Sequence, residues 1–263
     1  MKTLKKYAKS IFAQTGEDGI LDEIFTRLNI DKGFCVEFGA SDGINISNTY
    51  HFIKNKGWGG LLIESDPVRF KALEENMNEF SNVELLQSLV SHEGDYSLDN
   101  IFKSRGMSDS GIDLISIDID GSDYCVWEAL SSCSPKCVVI EYAASFPPWV
   151  EYVEKPNRVL GFGSSALSLV KLGESKGYKL VALTGCNLIF VNDSLFKSLD
   201  IDEVNLNDVF EYERLSFILS KNTGEIFLSR KRPLHYMFPN ELRDSFMPPD
   251  SESGFWPVYL IRR

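Results

Sequence analysis

The feature that most constrains this chain lies in its last third, where two apolar runs, residues 179–183 and 188–191, are separated by little more than Gly185-Cys186. A connection that short makes a hairpin, so the second run must lie antiparallel to the first. What precedes the hairpin follows another pattern. Apolar runs at 34–38, 61–63, 83–86, 113–119 and 138–140 read as buried strands, and each is followed by a stretch of helical periodicity. Ile20, Leu21, Ile24, Phe25 and Leu28 mark a first helix, and further helices are expected at 49–55, 68–78, 97–102, 126–131 and 164–176. Pro67 stands where the third of these should begin, and Gly57 where the second should stop. Strands that alternate with helices pair in parallel through crossovers. The fold class is therefore α/β: a doubly wound, mostly parallel seven-stranded sheet with a terminal antiparallel hairpin strand and a C-terminal extension. A dinucleotide-binding sheet does not ordinarily finish in this way. Residues 1–192 are expected to form one domain with N-terminal helices, and residues 193–263, where the pattern weakens, a cap or an oligomer contact of a possible homodimer.

Composition narrows the partners. A formal charge of −11 with a pI near 4.8 repels a phosphate backbone, which excludes nucleic acid and leaves a small molecule as the expected substrate. No apolar run approaches the length of a membrane span, and the basic start (Lys2, Lys5, Lys6, Lys9) leads into no signal-peptide core, so a cytoplasmic protein is expected. Five cysteines include one close pair, Cys133 and Cys137, with no second pair to complete a zinc site, and they are read as reduced.

The chemistry-bearing residues cluster after the strands. Val36-Glu37-Phe38-Gly39-Ala40-Ser41-Asp42-Gly43 closes the first strand. In an open α/β sheet the ligand lies beyond the carboxyl ends of the strands, and a turn of small residues lets backbone approach it. Neither phosphate-binding glycine signature is present, and an acid at this point suits a cation. S-adenosylmethionine (SAM), with an ammonium and a sulfonium, is such a ligand, and Glu37 is assigned to its amino group through the turn or a water. At the end of the next strand, Glu64 can accept hydrogen bonds from both ribose hydroxyls, with Ser65 beside it; a helix cap there needs only Ser65 or Asp66. Ser88 and Leu89, after the third strand, fall where the adenine should lie.

A third group follows the fourth strand: Ile117-Asp118-Ile119-Asp120-Gly121-Ser122-Asp123. In extended geometry Asp118 and Asp120 share a face, and Glu141 ends the adjacent strand. Such carboxylates either supply a general base, for which Asp120 and Glu141 are the candidates, or hold a divalent cation (Mg²⁺ or Mn²⁺) through Asp118, Asp120 and Glu141. The metal-free version is the one expected, because no further ligand can be placed beside these acids. His51 is a third catalytic candidate, set against the reading of a structural helix histidine. Trp149, after Pro147-Pro148, reads as a sugar-stacking wall or as core, and Arg230-Lys231-Arg232 as a phosphate contact or a solvated run.

With these residues in view, Gln14-Thr15-Gly16-Glu17-Asp18, the segment from Glu37 to Gly43, Ser47-Asn48-Thr49, Gly57-Trp58-Gly59-Gly60 and Ile117-Asp118-Ile119-Asp120-Gly121 resemble the FkbM-type class I SAM-dependent methyltransferases, over roughly residues 10–192. Ser116 stands where many relatives have Lys, and Asp120 replaces a commoner Glu. The resemblance implies a Rossmann-like methyltransferase sheet and adds Gln14, Asn48, Thr49 and Asp118 to the cofactor site. It also implies methyl transfer to a hydroxyl of a sugar, or of a nucleotide- or phosphate-linked sugar, in polysaccharide or natural-product biosynthesis. The alternatives are a small-molecule N-methyltransferase and a non-catalytic SAM-binding protein.

Overall fold

The computed structural model describes residues 2–107, 111–156, 163–212 and 215, together with the backbone of 218–220, 226–228 and 256–258. It divides into two compact units, Met1–Phe210 and Glu211–Arg263.

In the first unit, helix α1 (Glu17–Arg27) precedes strand β1 (Phe34–Phe38), and the chain continues through α2 (Tyr50–Lys56), β2 (Gly59–Glu64), α3 (Pro67–Met77), β3 (Val83–Gln87), α4 (Leu98–Ser104) and β4 (Leu114–Ile117). It then forms α5 (Asp123–Ala129), β5 (Cys137–Glu141), α6 (Ala166–Ser175), β6 (Tyr178–Leu183) and β7 (Asn187–Asn192). The seven strands make one sheet in the order β3-β2-β1-β4-β5-β7-β6. All neighbours are parallel except β7, which runs antiparallel to both β5 and β6. The expected sheet, with its antiparallel hairpin at one end, is the one observed. Two short helices, α7 (Asp193–Phe196) and α8 (Leu206–Val209), complete the unit. In the second unit, β8 (Ile218–Ser220), β9 (Ile226–Leu228) and β10 (Trp256–Val258) form an antiparallel sheet in the order β10-β9-β8.

Helices cover both faces of the large sheet, which is why its central strands read as unbroken apolar runs rather than alternating ones. β4 and the first four residues of β5 are buried throughout. On one side Phe25 of α1 meets Trp58 and Phe52 edge-on, with centroids 4.7 and 5.3 Å apart. On the other, Trp127 of α5 lies 5.1 Å from Phe190 of β7. Each such buried ring contributes on the order of 2–3 kcal/mol, which anchors the hairpin to the parallel part of the sheet.

Helix ends follow the local chemistry. Pro67 begins α3, and it is Asp66 that caps the helix by accepting from the N–H groups of Val68 and Arg69 at 2.8 and 2.9 Å. Gly57 ends α2 at φ +66°. The largest departure from expectation is at β4, which stops at Ile117 rather than 119. Asp120 (φ +55°) and Gly121 (φ +127°) turn the chain away, and both oxygens of Asp123 close the turn by accepting from Ile119 N and Gly121 N at 2.8 and 2.9 Å. Among the described residues no helix is long and apolar enough to cross a membrane.

Candidate functional site

The sequence-predicted groups that follow β1 to β5 lie at the carboxyl edge of the parallel strands, and the first to be built is the turn after β1. The N–H groups of Gly39 and Ala40 both donate to the Ile63 carbonyl at 3.1 Å, so the turn is sewn to the end of β2. Gly39 has φ +76°, and a Cβ there would stand 1.6 Å from the carbonyl oxygen of Asp118. Only glycine fits, because the β1 turn and the end of β4 touch at this point. Ser41 also occupies the left-handed region, at φ +51°. Asp42 holds the rest of the turn, its Oδ1 accepting from Ile44 N and Asn45 N at 3.0 and 2.8 Å. Burial alone would raise the Asp42 carboxyl, but those N–H donors outweigh it and hold it below the usual carboxylate range.

Glu64, buried at the end of β2, spans two loops. One oxygen accepts from Ser41 N and the other from Asp66 N, both at 2.8 Å. Each oxygen keeps a second lone pair, so the carboxylate fixes the glycine turn and can still receive a diol. Ser65 beside it is exposed and does not serve as the cap. Past β3, Ser88 N donates to the Glu64 carbonyl at 3.1 Å, and Leu89 presents a bare apolar side chain, 65% exposed, next to the same loop.

Glu37 is differently employed from the expectation that it faces a ligand. Ser47 Oγ, Asn48 N and Thr49 Oγ1 donate to its two oxygens at 2.6, 2.9 and 2.7 Å. Burial pushes its carboxyl up, with these three donors opposing. Glu37 is the internal anchor of the segment leading into α2. That segment in turn offers Asn48, whose Nδ2 donates to Ser116 Oγ at 3.0 Å while its buried Oδ1 has no partner among the described residues. Thr49 is spent on Glu37.

His51 is one residue inside α2, and its ring meets Asn55 at 3.0 Å and, more distantly, Asp22 of α1 at 3.8 Å. Among the described contacts none joins it to Asp118, Asp120 or Glu141. It packs between two helices, the structural role that a buried histidine on a helix ordinarily takes.

The acids after β4 and β5 do converge. One oxygen each from Asp118, Asp120 and Glu141 lies within 4.8 Å of the others. The route differs from the expected alternation, since Asp120 is brought back by its left-handed backbone rather than by an extended strand. Burial, then the charges of Asp123, Asp120 and Glu37, push Asp118 up; burial, then Asp118, push Glu141 up further. The two share a hydrogen bond in which the protonated Glu141 donates. None of the ion pairs among the described residues includes these acids or Glu37.

Residues outside the sequence-predicted set complete the edge. Asn187, the first residue of β7, pairs in register with Glu141. It donates from Nδ2 to Glu17 Oε1 at 3.0 Å and to Cys186 Sγ at 3.3 Å. Glu17, fully buried at the start of α1, also accepts from Thr15 Oγ1 and Thr184 Oγ1. Burial raises its carboxyl, and these donors outweigh it. Gln14 is exposed and accepts from Cys186 Sγ at 3.4 Å, which seats the 14–17 segment on the hairpin turn beside Glu141. Asp18 pins what comes before, its Oδ2 accepting from Ile11 N, Phe12 N and Ala13 N at 2.7, 2.7 and 2.8 Å. Trp149 is 63% exposed rather than core. Arg230-Lys231-Arg232 lies outside the described residues.

No protein-family model matches the chain, and no curated protein matches it in sequence. Solved structures similar to it include the CurJ carbon methyltransferase, at 12% identity and TM-score 0.47 over 66% of this chain and 52% of that one. Another is M. capricolum TrmK in complex with S-adenosyl-homocysteine, at 10% and 0.43 over 76% and 77%. A SAM dependent methyltransferase from Aquifex aeolicus is similar at 14% and 0.42 over 72% and 95%. The chain spans about half the length of the CurJ chain. The sheet, by its strand order and its terminal hairpin, has the Rossmann-like methyltransferase fold. Likenesses this remote lend no support to any particular reaction, which has to be argued from the residues at the edge.

Proposed function

We propose that this chain is a SAM-dependent methyltransferase of the FkbM type that methylates a hydroxyl group of a small molecule, with a sugar or a nucleotide- or phosphate-linked sugar as the favoured class. The observation that carries the reading is the contact between the two halves of the edge. The Gly39 turn, clamped by Glu64, abuts the Asp118 carbonyl, so a ligand lying on the turn reaches the acids of β4 and β5.

The residues fit the cofactor. The Glu64 carboxylate, held by two N–H groups, has lone pairs left for the ribose hydroxyls, and Leu89 offers an apolar surface to the adenine. The unpartnered Oδ1 of Asn48 is an acceptor for the ammonium, a task that passes to it because Glu37 is occupied. When bound, SAM supplies an electrophilic methyl group on a sulfonium. The remaining work is to hold the acceptor oxygen in line and to take its proton. Asp120 is exposed and free of the turn's internal bonds, which suits it to receive that proton, while Glu141 holds Asp118 through their shared hydrogen. The same reading takes the protein as cytoplasmic, the acceptor as a diffusible small molecule rather than nucleic acid, and residues 193–263 as cap or dimer contact.

Titration calorimetry with S-adenosyl-homocysteine on the full chain, followed by transfer of labelled methyl from SAM across a panel of sugar phosphates and nucleotide sugars, tests the proposal. Binding of S-adenosyl-homocysteine and label in a sugar product are expected. Thermal stabilisation by NAD and none by S-adenosyl-homocysteine would overturn it.

A further inference from the structure

The sequence offers no fourth ligand beside the acid cluster, but the register of β5 and β7 sets a further oxygen-bearing residue next to Glu141. Asn187 sits directly opposite Glu141 in the antiparallel β5–β7 pair. Residues so paired point to one face of the sheet with Cβ atoms about 4.5–5.5 Å apart. Asn187 is 4% exposed, and its Nδ2 is turned toward Glu17 and Cys186. The carboxamide oxygen at the other end of that group has no partner among the described residues. A buried carbonyl left without a donor is unfavourable, and a ligand there would remove that cost.

Asp118, Asp120 and Glu141 are arranged for the same ligand. Two oxygens bound about 2.1–2.4 Å from one ion stand no more than about 4.2–4.8 Å from each other, and the three carboxylate oxygens lie within 4.8 Å. Asp123 keeps the other two acids of its loop available by taking the Ile119 and Gly121 N–H groups itself. Asp120 is held in the left-handed region at φ +55°.

We propose that Asp118, Asp120, Glu141 and the Asn187 carboxamide oxygen form a binding site for one divalent cation. A set made only of oxygens selects a hard ion, Mg²⁺, Mn²⁺ or Ca²⁺, over zinc or copper. Its use rests on the methyl-transfer reading, since an ion there would orient the acceptor hydroxyl and lower its pKa; its existence does not.

The probe is Mn²⁺ alone, titrated into the full chain without SAM and followed by loss of its free electron-spin signal. One saturable site per chain is expected, with Kd on the order of 10⁻⁴ M. Asp120→Asn, at an exposed position that does not threaten folding, should weaken it about tenfold, and Asn187→Leu at least as much. Asn187→Asp should restore or tighten binding, and Glu93→Gln, at a remote exposed acid, should leave it unchanged. No saturable binding by the wild type in the millimolar range overturns the proposal. So does a site whose affinity is indifferent to both Asp120→Asn and Glu141→Gln, which would place the ion elsewhere. If Mn²⁺ binds as expected and S-adenosyl-homocysteine does not, the cation site stands and the methyl-transfer reading falls.

Discussion

Removing the Glu64 carboxylate separates a structural clamp from a ligand contact. In the structure it is the acceptor for two backbone donors, Ser41 N and Asp66 N, each at 2.8 Å. A hydrogen bond to a charged group contributes about 1.5–3 kcal/mol, and an orphaned buried N–H costs about 1–3. Both donors are only partly buried, so the lower end applies, and Glu64→Ala should lower the unfolding free energy by about 2–3 kcal/mol. Glu64→Gln keeps one good acceptor and should lose about half of that. If the same carboxylate also receives the ribose diol, S-adenosyl-homocysteine should bind roughly 10–100-fold more weakly to the alanine variant, the equivalent of about 1.4–2.8 kcal/mol. Because the ribose is held alike in the ground and transition states, KM for SAM should rise while kcat at saturation changes little. Relaxation of the turn could weaken binding on its own, so the deciding assay is calorimetry with S-adenosyl-homocysteine and its 2′-deoxy analogue on both proteins. The wild type should prefer the hydroxylated ligand, and Glu64→Ala should lose the preference. Equal loss of affinity for both ligands, with the preference intact, would refute the ribose assignment and leave Glu64 as a clamp.

Gly39→Ala forces a left-handed alanine and a Cβ 1.6 Å from the Asp118 carbonyl oxygen, so urea denaturation should show a loss above about 2 kcal/mol from conformation and clash together. S-adenosyl-homocysteine affinity should fall with it; a wild-type melt would mean that the turn and β4 do not touch. His51→Gln should cost about 1 kcal/mol of stability through its contacts to Asn55 and Asp22 and leave methyl transfer within about twofold of wild type, and a hundredfold loss of kcat in a folded variant would return His51 to the chemistry. The Asp42 carboxyl lies below its unfolded value, so its contribution to stability is present above about pH 3.9 and is lost as pH falls through the lower folded value. Melts of wild type and Asp42→Asn compared from pH 7 down to 3 should therefore converge at the acid end, and a constant gap would rule out the carboxylate's hydrogen bonds as the cause.

How much of this was legible in the sequence depends on the range of the interaction. Periodicity and punctuation are local, and they located β1 at Phe34–Phe38 and predicted the stop of α2 at Gly57 and the start of α3 at Pro67. The hairpin was legible for the same reason, since a short turn between two apolar runs admits one geometry. The end of β4 was not. An Asp-x-Asp pattern reads as alternation along a strand, yet the carboxylate of Asp123 captures two N–H groups and bends the chain before Asp120 is reached. Asn187 was beyond reach altogether, because its place beside Glu141 follows from the register of strands that are distant in sequence.

The acids of the carboxyl edge make the same point chemically. In the sequence Glu37, Asp42, Glu64, Asp118, Asp120 and Glu141 all read as groups that face a ligand, and nothing local says which of them the chain itself consumes. The structure sorts them by where their lone pairs go. Glu37 and Asp42 are saturated by donors from the chain, each accepting three, Glu64 and Asp123 are half-committed with one donor on each oxygen, and Asp118, Asp120 and Glu141 face one another without a cation among the described residues. Loss of any saturated acid would abolish activity by loosening the turn that carries the others, and a rate alone would misread it as catalytic. Stability distinguishes the two kinds. A saturated acid replaced by alanine exposes orphaned N–H groups and lowers stability, whereas Glu141→Gln keeps a neutral donor facing Asp118 and leaves the fold about as stable. The residues whose loss harms turnover but not folding are the ones that meet the substrate.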